Sequence, residues 1–214
     1  MELSKLYHRL YDEWNIGFMT VDEGMLSAKV PDVKWLRHNY KDRWFADPQI
    51  LSIHNGIIKV LVEELVFARD IGQIALLSVD ASTYELIGRK EILSLPTHLS
   101  FPQVLRADNK VFIYPESGES RELWLYEYDT DKDELTGEKR RLADMALADA
   151  TILPFDKTKM LATSSVPNGN VMDILCWDGD AKKYEICDSY TFDENVARNA
   201  GPCFQLGDRW IRPA

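Results

Sequence analysis

The sequence predicts an all-β fold, a propeller of four-stranded antiparallel blades, on three observations. A short motif returns at even intervals: Ala46-Asp47-Pro48-Gln49-Ile50, Ser100-Phe101-Pro102-Gln103-Val104, Ala148-Asp149-Ala150-Thr151-Ile152 and Ala200-Gly201-Pro202-Cys203-Phe204, at spacings of 54, 48 and 52 residues. A period near fifty residues marks a propeller blade or a solenoid unit. Each return opens a similar run of strand-like segments. No helical segment of about ten residues, which a parallel βαβ crossover needs, is visible between them.

Taken in order, residues 1–43 read as an N-terminal extension. Leu3, Leu6, Tyr7, Leu10 and Trp14 recur at helical spacing, with Lys5, Arg9, Asp12 and Glu13 mostly elsewhere, and predict a short amphipathic helix over 3–14. Asn15 to Met19 follows as a short strand. The repeats fill 44–214, with blades near 44–93, 97–142 and 147–190 and an incomplete one at 197–214. In the first, Gln49–Ile53 and Ile57–Glu64 flank the hairpin signal His54-Asn55-Gly56, and Gly72–Asp80 and Tyr84–Ile92 complete four strands. The second repeats the plan around Ala107-Asp108-Asn109, and the third gives Thr151–Pro154, Lys159–Ser164, Val171–Asp178 and Lys183–Tyr190. The fourth reaches Trp210-Ile211-Arg212 and stops in mid-blade. An unclosed ring leaves sheet edges bare, so the expectation is a piece of a longer chain, in preference to a reduced ring closed by the residues before Asp47.

Composition narrows the function classes. Of 214 residues 45% are hydrophobic, evenly spread, and the formal net charge is -10. That charge argues against nucleic acid or an anionic membrane, both of which attract Lys and Arg. A neutral, polyhydroxylated ligand fits better. No basic leader with an apolar core opens the chain and no apolar run approaches the ~20 residues of a span, so a cytoplasmic protein is expected. Cys176, Cys187 and Cys203 match no zinc or redox spacing and read as buried thiols. The acidic run 129–134 lacks the glycine and distal Glu of an EF-hand and reads as a solvated hairpin. No cofactor is indicated, and no motif specifies a divalent cation at the propeller axis.

In a propeller the innermost strand of each blade starts near one mouth of the channel, so equivalent positions of successive repeats converge there. The motif contributes Asp47 and Asp149. The ends of the second strands contribute Glu63 or Glu64, Glu116, and Ser164 or Ser165. The inter-blade stretch Thr97-His98-Leu99-Ser100 delivers His98 and Ser100. Carboxyl groups around one imidazole suit sugar hydroxyls or acid/base chemistry in which one acid stays protonated. Trp44 or Phe45 beside Asp47 is a candidate stacking surface, and Arg198 and Arg212 are candidates for holding a ligand carboxylate or phosphate through paired donors.

Seven segments in register carry a resemblance: Trp44-Phe45-Ala46-Asp47-Pro48, Glu63-Glu64, His98-Leu99-Ser100-Phe101-Pro102, Pro115-Glu116-Ser117, Asp149-Ala150-Thr151, Arg198-Asn199-Ala200-Gly201 and Arg212-Pro213-Ala214. Together they resemble the five-bladed glycoside hydrolases of family 43 and, more closely, the N-terminal domain of glucosamine inositolphosphorylceramide transferase and its bacterial relatives. The resemblance implies a five-bladed propeller with a carbohydrate site at its axis, Asp47 matching the hydrolases' general base and Asp149 the aspartate that tunes the acid. Those hydrolases open the fourth blade with Glu-Gly-Pro, whose Glu is the acid, where this chain has Ala200-Gly201-Pro202. An inverting hydrolase needs two carboxyl groups about 6.5–9.5 Å apart, so Glu116 or Glu63 would have to replace that acid. Three expectations follow. The first is a carbohydrate- or nucleotide-sugar-recognising domain of glycan synthesis or modification beside a fused or neighbouring enzyme. The others are a hydrolase with a relocated acid and a silent scaffold.

Overall fold

The computed structural model describes residues 13–22, 24, 32–163 and 169–214. The helix expected over 3–14 therefore lies almost wholly outside the described residues, as do Ser164 and Ser165. The described chain is all-β. Three four-stranded antiparallel sheets follow in sequence: β3 to β6 (Arg43–His54, Ile57–Val66, Gly72–Asp80, Leu86–Leu93), β7 to β10 (Ser100–Ala107, Lys110–Glu116, Leu123–Asp129, Glu134–Ala143) and β11 to β14 (Ala148–Leu153, Asp156–Thr163, Val171–Asp178, Lys183–Thr191). The hairpin β15–β16 (Phe204–Leu206, Arg209–Ile211) opens a fourth blade, and the two-residue strands β1 (Gly17–Phe18) and β2 (Lys34–Trp35) pair with each other before the first. This is the propeller arrangement the repeat predicts, and it fits a five-bladed ring. Among the described residues no helix is long and apolar enough to cross a membrane.

The hairpins form where the turn chemistry places them. Asn55 and Gly56 have φ of 49° and 75°, and Asp108 and Asn109 of 52° and 58°, the doubly positive pair of a two-residue type I′ turn. Strand periodicity then sorts side chains between neighbouring blades. On β4, Val60 and Val62 pack with Phe45, Leu77, Ile16 and Leu36 towards the N-terminal segment, whereas Leu61 between them packs with Leu51, Ile113 and Tyr126 towards the second blade. A third apolar layer, around Leu125, Met160 and Leu175, joins the second and third blades, and a fourth, around Leu161, Met172 and Ala197, carries the start of the next. Polar ties add to them: Lys59 pairs with Asp133 at 2.6 Å, and Arg106 donates to the Leu51 carbonyl at 2.5 Å.

Two expectations are corrected. The first strand of each blade does not begin after the motif but runs through it, from Arg43, Ser100 and Ala148. The pairing slips at the motif itself, between Ala46 and Gln49, Ser100 and Gln103, and Ala148 and Thr151, so the motif is a β-bulge. The cysteines are not all thiols. Cys176 on β13 and Cys187 on β14 form a disulfide with Cα atoms 5.8 Å apart, and Cys203 alone is free and buried. A residue skipped from the pairing of β14 after Ile186 brings Cys187 beside Cys176, a juxtaposition that no sequence spacing encodes.

Candidate functional site

The bulge explains why the motif tolerates few residues at its second position. Asp47, Phe101 and Asp149 sit there with φ of 48°, 42° and 52°, and Gly201 holds the fourth such place at 158°. Asp enters the left-handed region at modest cost because of its short polar side chain, whereas Phe101 is strained by about 1–3 kcal/mol. The extra residue turns side chains of these strands towards one mouth of the channel. A cavity of about 480 Å³ opens there, with Asp47, Glu63, His98, Asp149 and Arg198 in its wall. Ser100, Phe101 and Ala200 complete the side nearest the bulges. A larger cavity of about 940 Å³ lies elsewhere, between the N-terminal segment and β6, and holds none of the motif residues.

The pairing register decides between the alternatives at the strand ends. Glu63 stands opposite Ala46, Glu116 opposite Ser100 and Thr163 opposite Ala148, so these three are the equivalent mouth positions. Thr163 was missed by the sequence reading, which placed the third-blade residue one or two positions later. Its Oγ1 is buried with no hydrogen-bond partner among the described residues. Glu64 points to the other face, fully buried, and accepts from Arg43 Nη1 at 2.9 Å, from Gln73 Nε2 at 2.7 Å and from Arg89. Burial works to raise its pKa, but the bonds from Arg89, Arg43 and Gln73 outweigh burial and hold it below the ordinary value. Glu64 is thus a closed ion cluster in the first blade and does not reach the mouth.

Trp44 and Phe45 are both buried in the blade and absent from the cavity wall, so neither offers a stacking face there. Arg212 is likewise no ligand for an anion. Its Nη2 donates to the Val196 carbonyl at 2.6 Å and its Nη1 to Ala197, Arg198 and the Asn199 side chain at 3.3 Å, which braces the segment carrying Arg198. Arg198 does reach the mouth, with its side chain 59% exposed and Nε 2.5 Å from Asp149 Oδ2. Asn199 hangs the same segment on the Asp149 carbonyl at 2.8 Å.

The remaining acids are linked by backbone amides across blades. Asp47 Oδ2 accepts from the Phe101 amide at 3.0 Å, and Glu116 Oε2 from the Asp149 amide at 2.7 Å. His98 Nε2 lies 2.9 Å from Glu63 Oε1, while its Nδ1 accepts from the Gly72 amide at 3.1 Å. Only glycine fits at 72: a Cβ would stand 2.5 Å from the Leu99 carbonyl and 2.7 Å from the imidazole. Burial pushes Glu116 up to about 7, with the Asp149 and Asp47 charges adding and the Asp149 amide and Arg198 opposing. Burial likewise raises Glu63, helped by Asp47 and opposed by His98, and raises Asp149 against its pairing with Arg198. Such a mouth gathers several carboxyl groups, three of them raised by burial, a setting for acid/base work or for donor and acceptor contacts to hydroxyls. Among the described residues no three His, Cys, Asp or Glu side chains converge as ligands for a metal ion.

No protein-family model and no curated protein matches the chain. Solved structures do. A GH43 β-1,3-galactosidase with galactodeoxynojirimycin superposes with a TM-score of 0.55 at 10% identity, over 78% of this chain and 65% of that one. The exo-β-1,3-galactanase of Phanerochaete chrysosporium with β-1,3-galactotriose superposes with a TM-score of 0.59 at 9% identity, over 94% of this chain and 55% of that one. At such identities the likeness is one of fold, that of the GH43 propellers, and the chain spans only about 55–65% of those two proteins.

Proposed function

We propose that the mouth binds a carbohydrate and that the chain is the recognition propeller of a protein that builds or modifies glycans, working with a fused or neighbouring enzyme as in the transferase group it resembles. The observation that carries this reading is the convergence of Asp47, Glu63, His98, Asp149 and Arg198, drawn from successive repeats, on one cavity of about 480 Å³. The volume admits a sugar residue or two. Carboxylate oxygens accept from sugar hydroxyls, Arg198 donates, and Phe101 offers an apolar edge, all three in the cavity wall, while Glu116 lies behind it on the Asp149 amide. The two fold neighbours hold galactose-type ligands, which supports a carbohydrate without specifying it. The charge balance favours the neutral sugar part of a ligand over its phosphates, since Arg198 is already paired with Asp149 and Arg212 is occupied by carbonyls. The test is a binding screen of neutral glycans and nucleotide sugars on the wild type and Asp47→Ala. Loss of the bound glycan in the variant is expected, and unchanged affinity removes Asp47 from the site.

A second reading, an inverting hydrolase with a relocated acid, is favoured by the burial of Glu116, which pushes its carboxyl group up to about 7, so that it keeps its proton over a pH range in which an ordinary glutamate has lost it. Ala200 puts a methyl group in the cavity wall where the resembling hydrolases carry their acid. Release of an aryl leaving group from synthetic glycosides, abolished by Glu116→Gln, would establish this reading. No release from any tested glycoside, with binding intact, would leave recognition alone. As for compartment, a cytoplasmic chain would carry Cys176 and Cys187 as thiols, because disulfides persist in oxidising compartments.

A further inference from the structure

We propose that His98 is a positioning residue of the mouth: the Gly72 amide locks its imidazole in the neutral form with the proton on Nε2, and that proton pins Oε1 of Glu63, so that Glu63 meets a ligand in one fixed orientation. The proposal deepens the reading of the mouth as a carbohydrate site and rests on it for its functional consequence, though not for its geometry.

The direction of both bonds follows from donor and acceptor chemistry. A backbone N–H can only donate, so the Gly72 amide, 3.1 Å from His98 Nδ1, needs a lone pair on that nitrogen. A neutral imidazole with a bare Nδ1 carries its proton on Nε2, which lies 2.9 Å from Glu63 Oε1. Nε2 therefore donates and Oε1 accepts. This holds whether Glu63 is ionised or neutral, since a neutral carboxyl group also keeps an accepting oxygen. The bond to Glu63, and then the charges of Glu63, Glu119 and Glu116, draw the His98 pKa upward against burial. A second proton must nevertheless enter at Nδ1, against the Gly72 N–H, so the amide contact opposes the imidazolium.

The backbone around the ring makes this lock rigid. Gly72 and the 98–99 stretch hold each other twice, through the Gly72 amide on Nδ1 and through the Leu99 amide on the Gly72 carbonyl at 3.0 Å. The turn after β8 adds contacts from the second blade: Glu119 Oε2 accepts the His98 amide at 3.3 Å, and the Thr97 and Ser117 hydroxyl oxygens lie 3.2 Å apart. His98 is thus fixed from both blades that it joins. Its imidazole and Glu63 both stand in the cavity wall, the Glu63 side chain 8% exposed and the His98 side chain 37%. With one ring nitrogen on an amide and the other on a carboxyl group, His98 serves neither as a general base nor as an acceptor for the ligand. Its part is to hold the acid beside it in place, as supporting residues do in a preorganised site.

The experiment uses the whole chain, first without any sugar. Nitrogen-15 NMR at neutral pH is expected to show His98 with a proton on Nε2 and none on Nδ1. Glutamine carries its amide nitrogen about as far along the side chain as Nε2, asparagine only as far as Nδ1. His98→Asn is therefore expected to move the carbon-13 signal of the Glu63 carboxyl group, and His98→Gln to leave it close to the wild type. With a glycan from the binding screen, His98→Asn is expected to weaken binding by about tenfold and His98→Gln to recover most of that loss. A proton on Nδ1 alone, or on both nitrogens at neutral pH, overturns the proposal. So does a Glu63 signal that His98→Asn leaves unmoved, or an affinity that both variants lose alike, which would make His98 itself a ligand contact. A screen that yields no glycan defeats the reading of the mouth, while the two NMR results still decide this one.

Discussion

Glu116 provides the sharpest test of the mouth's electrostatics. Its carboxyl group, ordinarily near 4.5, is pushed up to about 7 chiefly by burial. Between those values the folded chain holds a proton that the unfolded chain has released, so stability falls as pH rises through the window and is level above it. At about 1.4 kcal/mol per pH unit the loss is about 3 kcal/mol. Glu116→Gln removes the ionisation but keeps an oxygen for the Asp149 amide. The variant should therefore match the wild type near pH 4 and exceed it by about 3 kcal/mol above pH 7. For a chain of this length that is about 6–12 °C in Tm. Thermal unfolding followed by circular dichroism at a series of pH values reads the difference directly. A gap that does not change with pH, or a variant less stable than the wild type at pH 8, would refute the claim that burial of this carboxyl group dominates.

Two further outcomes follow from the blades around the mouth. Glu64→Ala strips the shared partner from Arg43 and Arg89 and should cost about 3 kcal/mol in urea unfolding, while sugar binding at the mouth, measured on the folded variant, is unchanged. The Cys176–Cys187 bond closes a short loop with a sequence separation of 11. By loop entropy, Cys176→Ser, or the wild type under a strong reductant, should lose about 3 kcal/mol. A reductant that leaves Tm unmoved while free-thiol titration still counts one thiol before and after would show that the bond resists reduction, and a count of three beforehand would show that it is not formed.

Much of the blade architecture was legible because each of its determinants is local. The Asn55-Gly56 and Asp108-Asn109 turns, the alternating strands and the recurrence of the motif are short-range signals, and all recur in the structure as hairpins and sheets. The mouth was legible in part, since the repeat implies that Asp47 and Asp149 meet and the stretch between blades brings His98 to them. The choice between Glu63 and Glu64 was not. Successive strand residues face opposite ways, and the bulge inside the motif shifts the count by a residue that the sequence does not announce. The same shift hid Thr163 behind Ser164 and Ser165. Arg198 and Arg212 look alike in sequence, yet one reaches the cavity and the other is spent on carbonyls, because that depends on how the last segment folds back.

The amino-acid sequence by itself determined the period, the strand-turn-strand grammar of each blade and the set of acids available to the channel, since all of these are written in spacing and turn chemistry. Only the tertiary structure decided which face each acid takes, which cations are already paired, which two cysteines meet and which carboxyl group burial keeps protonated. Those properties depend on register and on the loss of water around a side chain, and both arise only when strands distant in the chain pack against one another.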